Sequence, residues 1–328
     1  MINTILTGDS REMLTLLAKE SIDCVVTSPP YFNLRNYHVE GQIGLEDTPD
    51  IYIKKLVDVF YQVWRVMKKT ATLWVIIGDS YAGSGKGCDG KTAYLKGIKN
   101  YKSKRDKPKS LIGIPWRFAL VMIEAGWILR QDIIWAKRNP MPEAVKDRFC
   151  KSHEHIFLFT KQGKYYFDYT QALEKAIGWD RDIDGKCKYS HYKPGAEFIK
   201  NNQPRYPQRG FAEKEENSGQ RPQHHGAVIE TLPLRTMRDV WFIPTEAYQG
   251  EHYATYPERL ITPCVLCGCP QDGVVLDPFF GIGTTGAVAK KNYRNYIGCE
   301  INPAYVKIAR KRISNIDPLF NEKEELCI

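Results

Sequence analysis

Residues Thr27-Ser28-Pro29-Pro30-Tyr31 follow the apolar run Ile22-Asp23-Cys24-Val25-Val26. A buried strand that runs into two prolines makes a stiff, extended turn at its carboxyl end, because proline fixes its own φ and drives its predecessor out of the helical region. Pro30 has no N–H, so the turn is rich in acceptors. The Ser28 hydroxyl and the Pro29 carbonyl can both take hydrogen bonds from one amino group, and Tyr31 adds an aromatic face. That set suits an exocyclic amino nitrogen, whose lone pair is delocalised into a base ring and only weakly nucleophilic. Two acceptors would orient its hydrogens, favour a pyramidal nitrogen and aim the lone pair at an electrophilic methyl. This is catalysis by positioning and electrostatics, with no covalent enzyme intermediate. A base must leave the duplex to be reached, and stacking on Tyr31 would offset part of an unstacking cost of roughly a few kcal/mol. An ordinary Ser-Pro-Pro turn is the plain alternative.

A second constellation is Val274-Val275-Leu276-Asp277-Pro278-Phe279-Phe280-Gly281-Ile282-Gly283-Thr284-Thr285-Gly286, with a helix expected over Ala287 to Lys291. A strand, then glycines that let backbone approach a ligand, then a helix start is the geometry of a nucleotide-type site. The next strand, Tyr296-Ile297-Gly298-Cys299-Glu300, ends on a carboxylate that could accept from two ribose hydroxyls. Gly281, Gly283 and Gly286 also spell G-x-G-x-x-G, the dinucleotide fingerprint of an NAD-binding oxidoreductase. Against that reading, Asp277-Pro278-Phe279-Phe280 separates strand from glycines. The Asp277 carboxylate would also repel a pyrophosphate, whereas it can accept from a methionine ammonium. These residues favour S-adenosylmethionine.

The elements that must position both constellations are short apolar runs: Ile22 to Val26, Leu73 to Ile77, Ile133 to Trp135, His155 to Phe159, Val274 to Leu276, and Tyr296 to Ile297. Helical patterns lie between several of them. In Ile51 to Met67, for example, Leu56, Val59, Phe60, Val63 and Met67 recur at three- and four-residue spacing. Strand, helix, strand implies an α/β fold with a doubly wound, mostly parallel sheet, whose ligands bind beyond the carboxyl ends of the strands. At 328 residues the chain can hold one large domain with an insertion or two modest ones. Two stretches break the pattern, the Gly- and Lys-rich residues 83 to 110 and the polar residues 170 to 232. Excursions this long are either DNA-contacting or target-recognition segments, or mobile surface insertions.

The net charge of +9 is unevenly spread: residues 83 to 110 carry nine basic residues against two aspartates. Lys86, Lys91, Lys102, Lys104 and Arg105, interleaved with Tyr94 and Tyr101, are candidates for neutralising DNA phosphates, or equally for a solvated flap. No apolar run approaches ~18 residues and the amino end lacks a signal pattern, so the expectation is a soluble, cytoplasmic protein without membrane contact. Nine cysteines, several inside apolar runs, suit buried thiols better than disulfides. Cys264, Cys267 and Cys269 could bind zinc by spacing but have no evident fourth ligand, so no metal is expected. His153 and His155 stand before an apolar strand with no nucleophile to serve. His224 and His225 lie in the second excursion.

Taken together, these motifs resemble the amino-methyltransferases of restriction-modification systems and phages, which form N4-methylcytosine or N6-methyladenine. Thr27 to Tyr31 resembles their catalytic motif, so the resemblance makes Ser28, Pro29, Pro30 and Tyr31 the catalytic set. Leu276 to Gly286 resembles their cofactor motif, and Tyr296 to Asn302 the acidic strand end. This implies S-adenosylmethionine contacts from Asp277, Phe279, Gly281, Gly283, Thr284, Thr285, Glu300 and Asn302. Asn3 to Leu14 resembles the segment whose acidic residue, here Asp9, lies near the cofactor adenine. His252 to Leu260, with Tyr256 and Pro257, resembles the one holding the methionine end. Thr70 to Tyr81 resembles another core strand, and Ile128 to Pro142, with Lys137, a segment near the target pocket.

The catalytic motif precedes the cofactor motif, as in the family's β group, a permuted class I methyltransferase (Rossmann-like) fold. That order implies a catalytic half over residues 1 to 142, a target-recognition insertion over 143 to 238, and a cofactor half over 239 to 328. Ile282 stands for the usual serine between the glycines, and Tyr253 and Tyr256 for the usual phenylalanines, changes that a backbone turn and an aromatic contact survive. Family members with Ser rather than Asp at the head of the tetrapeptide mostly methylate cytosine N4, so Ser28 favours cytosine over adenine. The implied partners are double-stranded DNA and a possible cognate restriction endonuclease. The source is prokaryotic or phage, and the chain a monomer or homodimer. A catalytically silent DNA-binding relative is the rival from another class, and the intact Ser28 to Tyr31 argues against it.

Overall fold

The computed structural model describes residues 1–82, 107, 109–175, 234–246 and 255–316. Within them the chain forms two compact units. One is Met1–Ala172 with Arg238–Ile328, and the other is Leu173–Met237.

The first unit is built on one eight-stranded sheet. Its strands are β1 (Thr4–Thr7), β2 (Ile22–Thr27), β3 (Met67–Ile77), β4 (Ile128–Ala136), β5 (His153–Thr160), β8 (Val240–Phe242), β9 (Val274–Asp277) and β10 (Asn295–Glu300). Across the sheet they run β1-β10-β9-β2-β3-β5-β4-β8. Neighbours are parallel except where β5 lies antiparallel between β3 and β4. The expected mostly parallel sheet is therefore present. The order steps from β9 to β2 at its centre, and β2, apolar on both faces, is buried along most of its length there.

Helices cover both faces because neighbouring residues of β2 point opposite ways. Val25 joins the apolar cluster of α2 (Pro49–Val66), with Leu56, Val59, Phe60 and Val63. Cys24 instead faces α4 (Glu258–Gly268), its Sγ lying against the Cys264 carbonyl. Helix α2 begins where Thr48 caps Ile51 N and Pro49 supplies a preset φ. It ends one residue short of the expected Met67, whose extended backbone opens β3. Helix α3 (Ile114–Glu124) packs on α2 through Phe60 and Phe118, ring centroids 5.3 Å apart.

Parallel strands all deliver their carboxyl ends to one edge, where Gly8-Asp9, Ser28, Gly78, Asp277 and Glu300 collect. Strand β5 contributes from its other end. It pairs His155 with Ile77 and His153 with Ala136, so Glu154 enters at the same edge. This strand lies inside residues 143–238, the stretch expected to be an insertion, yet it belongs to the main sheet. The second compact unit takes Leu173–Met237 alone. There β6 (Leu173–Lys175) pairs antiparallel with β7 (Leu234–Thr236), and Arg235 bonds Glu174 at 2.8 Å.

Short helix α1 (Ser10–Met13) follows β1, a strand absent from the expected apolar runs. Helix α5 (Thr284–Lys291) starts three residues earlier than expected, and α6 (Pro303–Ser314) follows β10. Among the described residues no helix is long and apolar enough to cross a membrane.

The Phe280 ring lies between the cofactor turn and β10. A Cβ on Gly298 would stand 2.3 Å from it, and one on Gly286 would stand 2.6 Å away. The ring is held from both sides and cannot yield. Gly298→Ala is therefore expected to cost about 1–3 kcal/mol, read as a lowered urea midpoint with an unchanged slope.

Candidate active site

The carboxyl edge opens into a cavity of about 820 Å³ lined by residues from both motifs, including Ser28, Pro29, Tyr31, Phe279, Gly281 and Glu300. Behind its wall lies Asp277. Its carboxylate is fully buried and does not line the cavity. Thr27 Oγ1 (2.6 Å) and the Phe279 N–H (2.9 Å) donate to Oδ1, while Thr285 Oγ1 (2.7 Å) and the Tyr256 hydroxyl (3.1 Å) donate to Oδ2. Four hydrogen-bonding groups surround it, and two of them, the Tyr256 and Thr285 hydroxyls, also bond each other at 2.6 Å. Burial pushes the Asp277 carboxyl above its ordinary range, and the four bonds oppose that shift. The structure thus gives Asp277, expected as an acceptor for an ammonium group, a bridging place between β2 and β9.

Glu300 has the reverse character. Its carboxylate lines the cavity and takes backbone N–H groups, Gly281 at 2.7 Å and Asn302 at 2.8 Å among them. Burial holds this carboxyl above the usual range despite those backbone bonds. Gly281 has φ +52°, and a Cβ there would meet nothing within 4 Å, so the space over its backbone belongs to the cavity.

The catalytic turn is equally braced. The Tyr52 hydroxyl donates to the Pro30 carbonyl at 2.8 Å, whereas among the described residues the buried Pro29 carbonyl has no hydrogen-bond partner. The half-buried Tyr31 ring lies on Gly78, where a Cβ would stand 2.7 Å from Tyr31 Cε2. Its hydroxyl donates to Glu154 Oε2 at 2.5 Å, and the Lys137 ammonium donates to Oε1. Burial, then the Glu154 charge, pushes the Tyr31 phenol well above its usual range, and a hydrogen bond from Ser28 opposes them.

The remaining expected residues divide clearly. Asp9 lines the cavity and caps α1, its carboxyl held low by the Arg11 guanidinium. Tyr256, Thr284 and Asn302 line the cavity too. Asn302 also caps α6, and the Thr284 hydroxyl accepts from Arg312. Gly283, Thr285 and Pro257 stand behind the wall, Pro257 as the N-cap of α4. Lys137 lines the cavity as Glu154's partner, 4.6 Å above the Trp135 ring. Lys86, Lys91, Lys102, Lys104 and Arg105 lie outside the described residues, as do His224 and His225.

Cys264 and Cys267 sit buried on α4 with Cys269 at its end, and His155 is buried against Trp116 with Asp132 at 2.9 Å. Glu154 escaped the sequence reading. The available signal was a carboxylate inside the apolar strand His153-Glu154-His155-Ile156-Phe157. The segment 34–43 also escaped it, with Arg35 and Tyr37 on the cavity wall.

A family model described as DNA methylase matches residues 22–311. The chain belongs to this family of N6/N4 DNA methylases. It is 40% identical to the type II methyltransferase M.SmaI of Serratia marcescens, over 94% of this chain and 90% of that protein. Among solved structures, the PvuII DNA methyltransferase (cytosine-N4-specific) superposes with a TM-score of 0.60 at 19% identity, covering 97% of this chain and 89% of that one. A putative DNA modification methylase from Thermus thermophilus, complexed with S-adenosyl-L-methionine, gives 0.56 at 20% identity, covering 95% and 93%. The protein is thus a type II DNA methyltransferase of the N4/N6 class, and the cofactor held by the Thermus structure is S-adenosyl-L-methionine. A carboxylate and an open glycine backbone on one cavity wall fit that cofactor.

This placement makes Gly281→Ala a direct probe of the cofactor wall. A methyl projecting into the cavity from a left-handed residue is expected to weaken S-adenosylmethionine binding by roughly tenfold or more in calorimetric titration. The thermal midpoint should move by only a few degrees.

Proposed function

We propose that this DNA methyltransferase methylates the exocyclic N4 of cytosine in double-stranded DNA, on a base flipped into the cavity. The carrying observation is the pairing of Ser28 with a Pro29 carbonyl that no described residue engages, both on the wall that also holds Glu300 and Gly281. Bound S-adenosylmethionine supplies an electrophilic methyl group. The chain's own task is to hold the acceptor nitrogen. Ser28 Oγ and the Pro29 carbonyl take its two hydrogens, and Tyr31 offers its ring. Serine rather than aspartate at position 28 favours cytosine over adenine, following the trend of the family's serine-headed members.

In this reading Glu300 holds the ribose hydroxyls, Phe279 and Gly281 give the cofactor close backbone approach, and Asp9 and Asn302 flank the adenosine. Tyr256 and Pro257 shape the methionine end. Asp277, Thr285 and Gly283 act from behind, by fixing the turn. The recognition function falls to residues 143–238, centred on the Leu173–Met237 unit rather than on β5, and the basic residues Lys86 to Arg105 engage phosphates. A cognate restriction endonuclease would read the same sequence.

Two measurements test the proposal. Nucleoside mass spectrometry of DNA treated with the purified protein and S-adenosylmethionine should show N4-methyldeoxycytidine. N6-methyldeoxyadenosine in its place would assign adenine and refute the cytosine reading. Tyr31→Ala should lower turnover by about tenfold or more, the worth of one base–aromatic stack, with cofactor affinity within about twofold of wild type. Equal loss of both would count against stacking.

A further inference from the structure

Cytosine and adenine both offer an exocyclic amino group, but they differ further along the same edge. Next to the amino-bearing carbon each has a ring nitrogen that accepts. Beyond it cytosine has the O2 carbonyl, whereas adenine has only a C–H. A donor placed for that oxygen therefore rewards cytosine and leaves adenine with nothing to bond. Three donors on the cavity wall at and after the end of β4 are already engaged. The Trp135 indole N–H bonds the Ile243 carbonyl at 2.8 Å, the Asn139 amide bonds the Thr245 carbonyl at 3.0 Å, and the Lys137 ammonium is paired with Glu154. Lys151 differs. Its half-buried side chain lines the cavity, and its ammonium donates to the Asp79 carbonyl. Among the described residues that ammonium has no ion-pair partner and no second hydrogen bond. An ammonium carries three hydrogens, so two remain for a ligand. Burial pulls the Lys151 pKa below the ordinary lysine range, and with or without its charge a primary amine keeps a hydrogen to donate.

We propose that Lys151 reads the target base by donating to cytosine O2 while Ser28 and Pro29 hold the amino group. This inference rests on the reading of cytosine N4 as the acceptor nitrogen. It supplies what Ser28 and Pro29 lack, since an adenine amino group would satisfy those two equally well. The fold places both ends of the Lys151 side chain. At its root the Lys151 N–H donates to Glu143 Oε2 at 3.2 Å, and Glu143 is in turn held by the Arg148 guanidinium at 2.6 Å. At its tip the Asp79 carbonyl is a fixed point, because the Asp79 carboxyl group accepts from the N–H groups of Gly113 (2.9 Å) and Ile114 (3.0 Å) at the start of α3. Asp79 directly follows Gly78, the residue on which the Tyr31 ring lies. The ammonium is therefore held beside the segment that supports the stacking ring, in the cavity the base must enter, with hydrogens that the described protein groups leave free.

Lys151→Met keeps the stem and removes the donor. Two substrates are compared: a duplex with cytosine at the modified position, located by single-molecule sequencing of treated DNA, and the same duplex with a 2-aminopyridine C-nucleoside there. The analogue keeps the amino group and the ring nitrogen but has C–H in place of the carbonyl. On cytosine the variant should lose at least about tenfold in kcat/KM, with S-adenosylmethionine affinity within about twofold of wild type. On the analogue the two proteins should differ by less than about twofold, because the bond that Lys151 makes is absent from both. Wild type itself should prefer cytosine to the analogue by at least about tenfold. Equal losses on both substrates would overturn the proposal, as would a Lys151→Met protein with wild-type kcat/KM on cytosine. So would a wild-type protein that takes both substrates equally, a result that needs no variant to fold. Should Lys151→Met not fold, Lys151→Ala serves in its place. Failure of the underlying reading would look different: natural DNA would carry N6-methyladenine instead of N4-methylcytosine.

Discussion

The side chain of Asp277 has no contact with solvent and, among the described residues, no ion-pair partner, yet it is tolerable because four hydrogen-bonding groups surround it. Those groups come from β2, from the turn after β9, from the segment before α4, and from the first turn of α5. Such a group is costly to leave partly satisfied. Each of these segments therefore has one place to be, and the strand that ends in Ser28 is locked to the strand that ends in the glycine turn. The two constellations of the sequence are one site because they share this buried carboxyl group.

Around that lock the remaining contacts set the cavity's shape. Ser10 Oγ bonds the Pro278 carbonyl and ties α1 to the cofactor turn. The Phe280 ring fills the gap left by Gly286 and Gly298 and stacks on Tyr296. On the other flank the reversed strand β5 does what a further parallel strand could not, since only its amino end could place Glu154 opposite Gly78. The edge therefore carries cofactor groups on one side of β2 and a polar chain behind Tyr31 on the other.

Much of this was legible in the sequence, and the exceptions have physical causes. The apolar runs of β2, β3, β9 and β10 announced themselves because strands buried on both faces are nearly all hydrophobic. Strand β1, Thr4–Thr7, is half polar and sits at the sheet edge, so its run carries little signal. Ser28, Tyr31, Gly281 and Glu300 were readable because rigid turns and close backbone approach demand particular residue types. Glu154 was not, because its role depends on pairing across β3, β5 and β4, and a lone carboxylate in a strand has no local signature. Asp277 was legible as a candidate acceptor, but its bonding was not, since sequence spacing cannot show that Thr27, Thr285 and Tyr256 converge on it. Cytosine over adenine rests on Ser28, for both bases present an amino group.

The coupling claim is tested most directly through Thr27, which is fully buried and does not line the cavity. In Thr27→Val the shape is kept while Asp277 loses one donor, a deficit of about 1–3 kcal/mol. Titration with S-adenosylmethionine, together with a single-turnover methylation rate at saturating cofactor, is the decisive measurement. The account predicts that affinity and rate both fall, although no group facing cofactor or base has changed. A variant that is less stable but binds and methylates as wild type would contradict it.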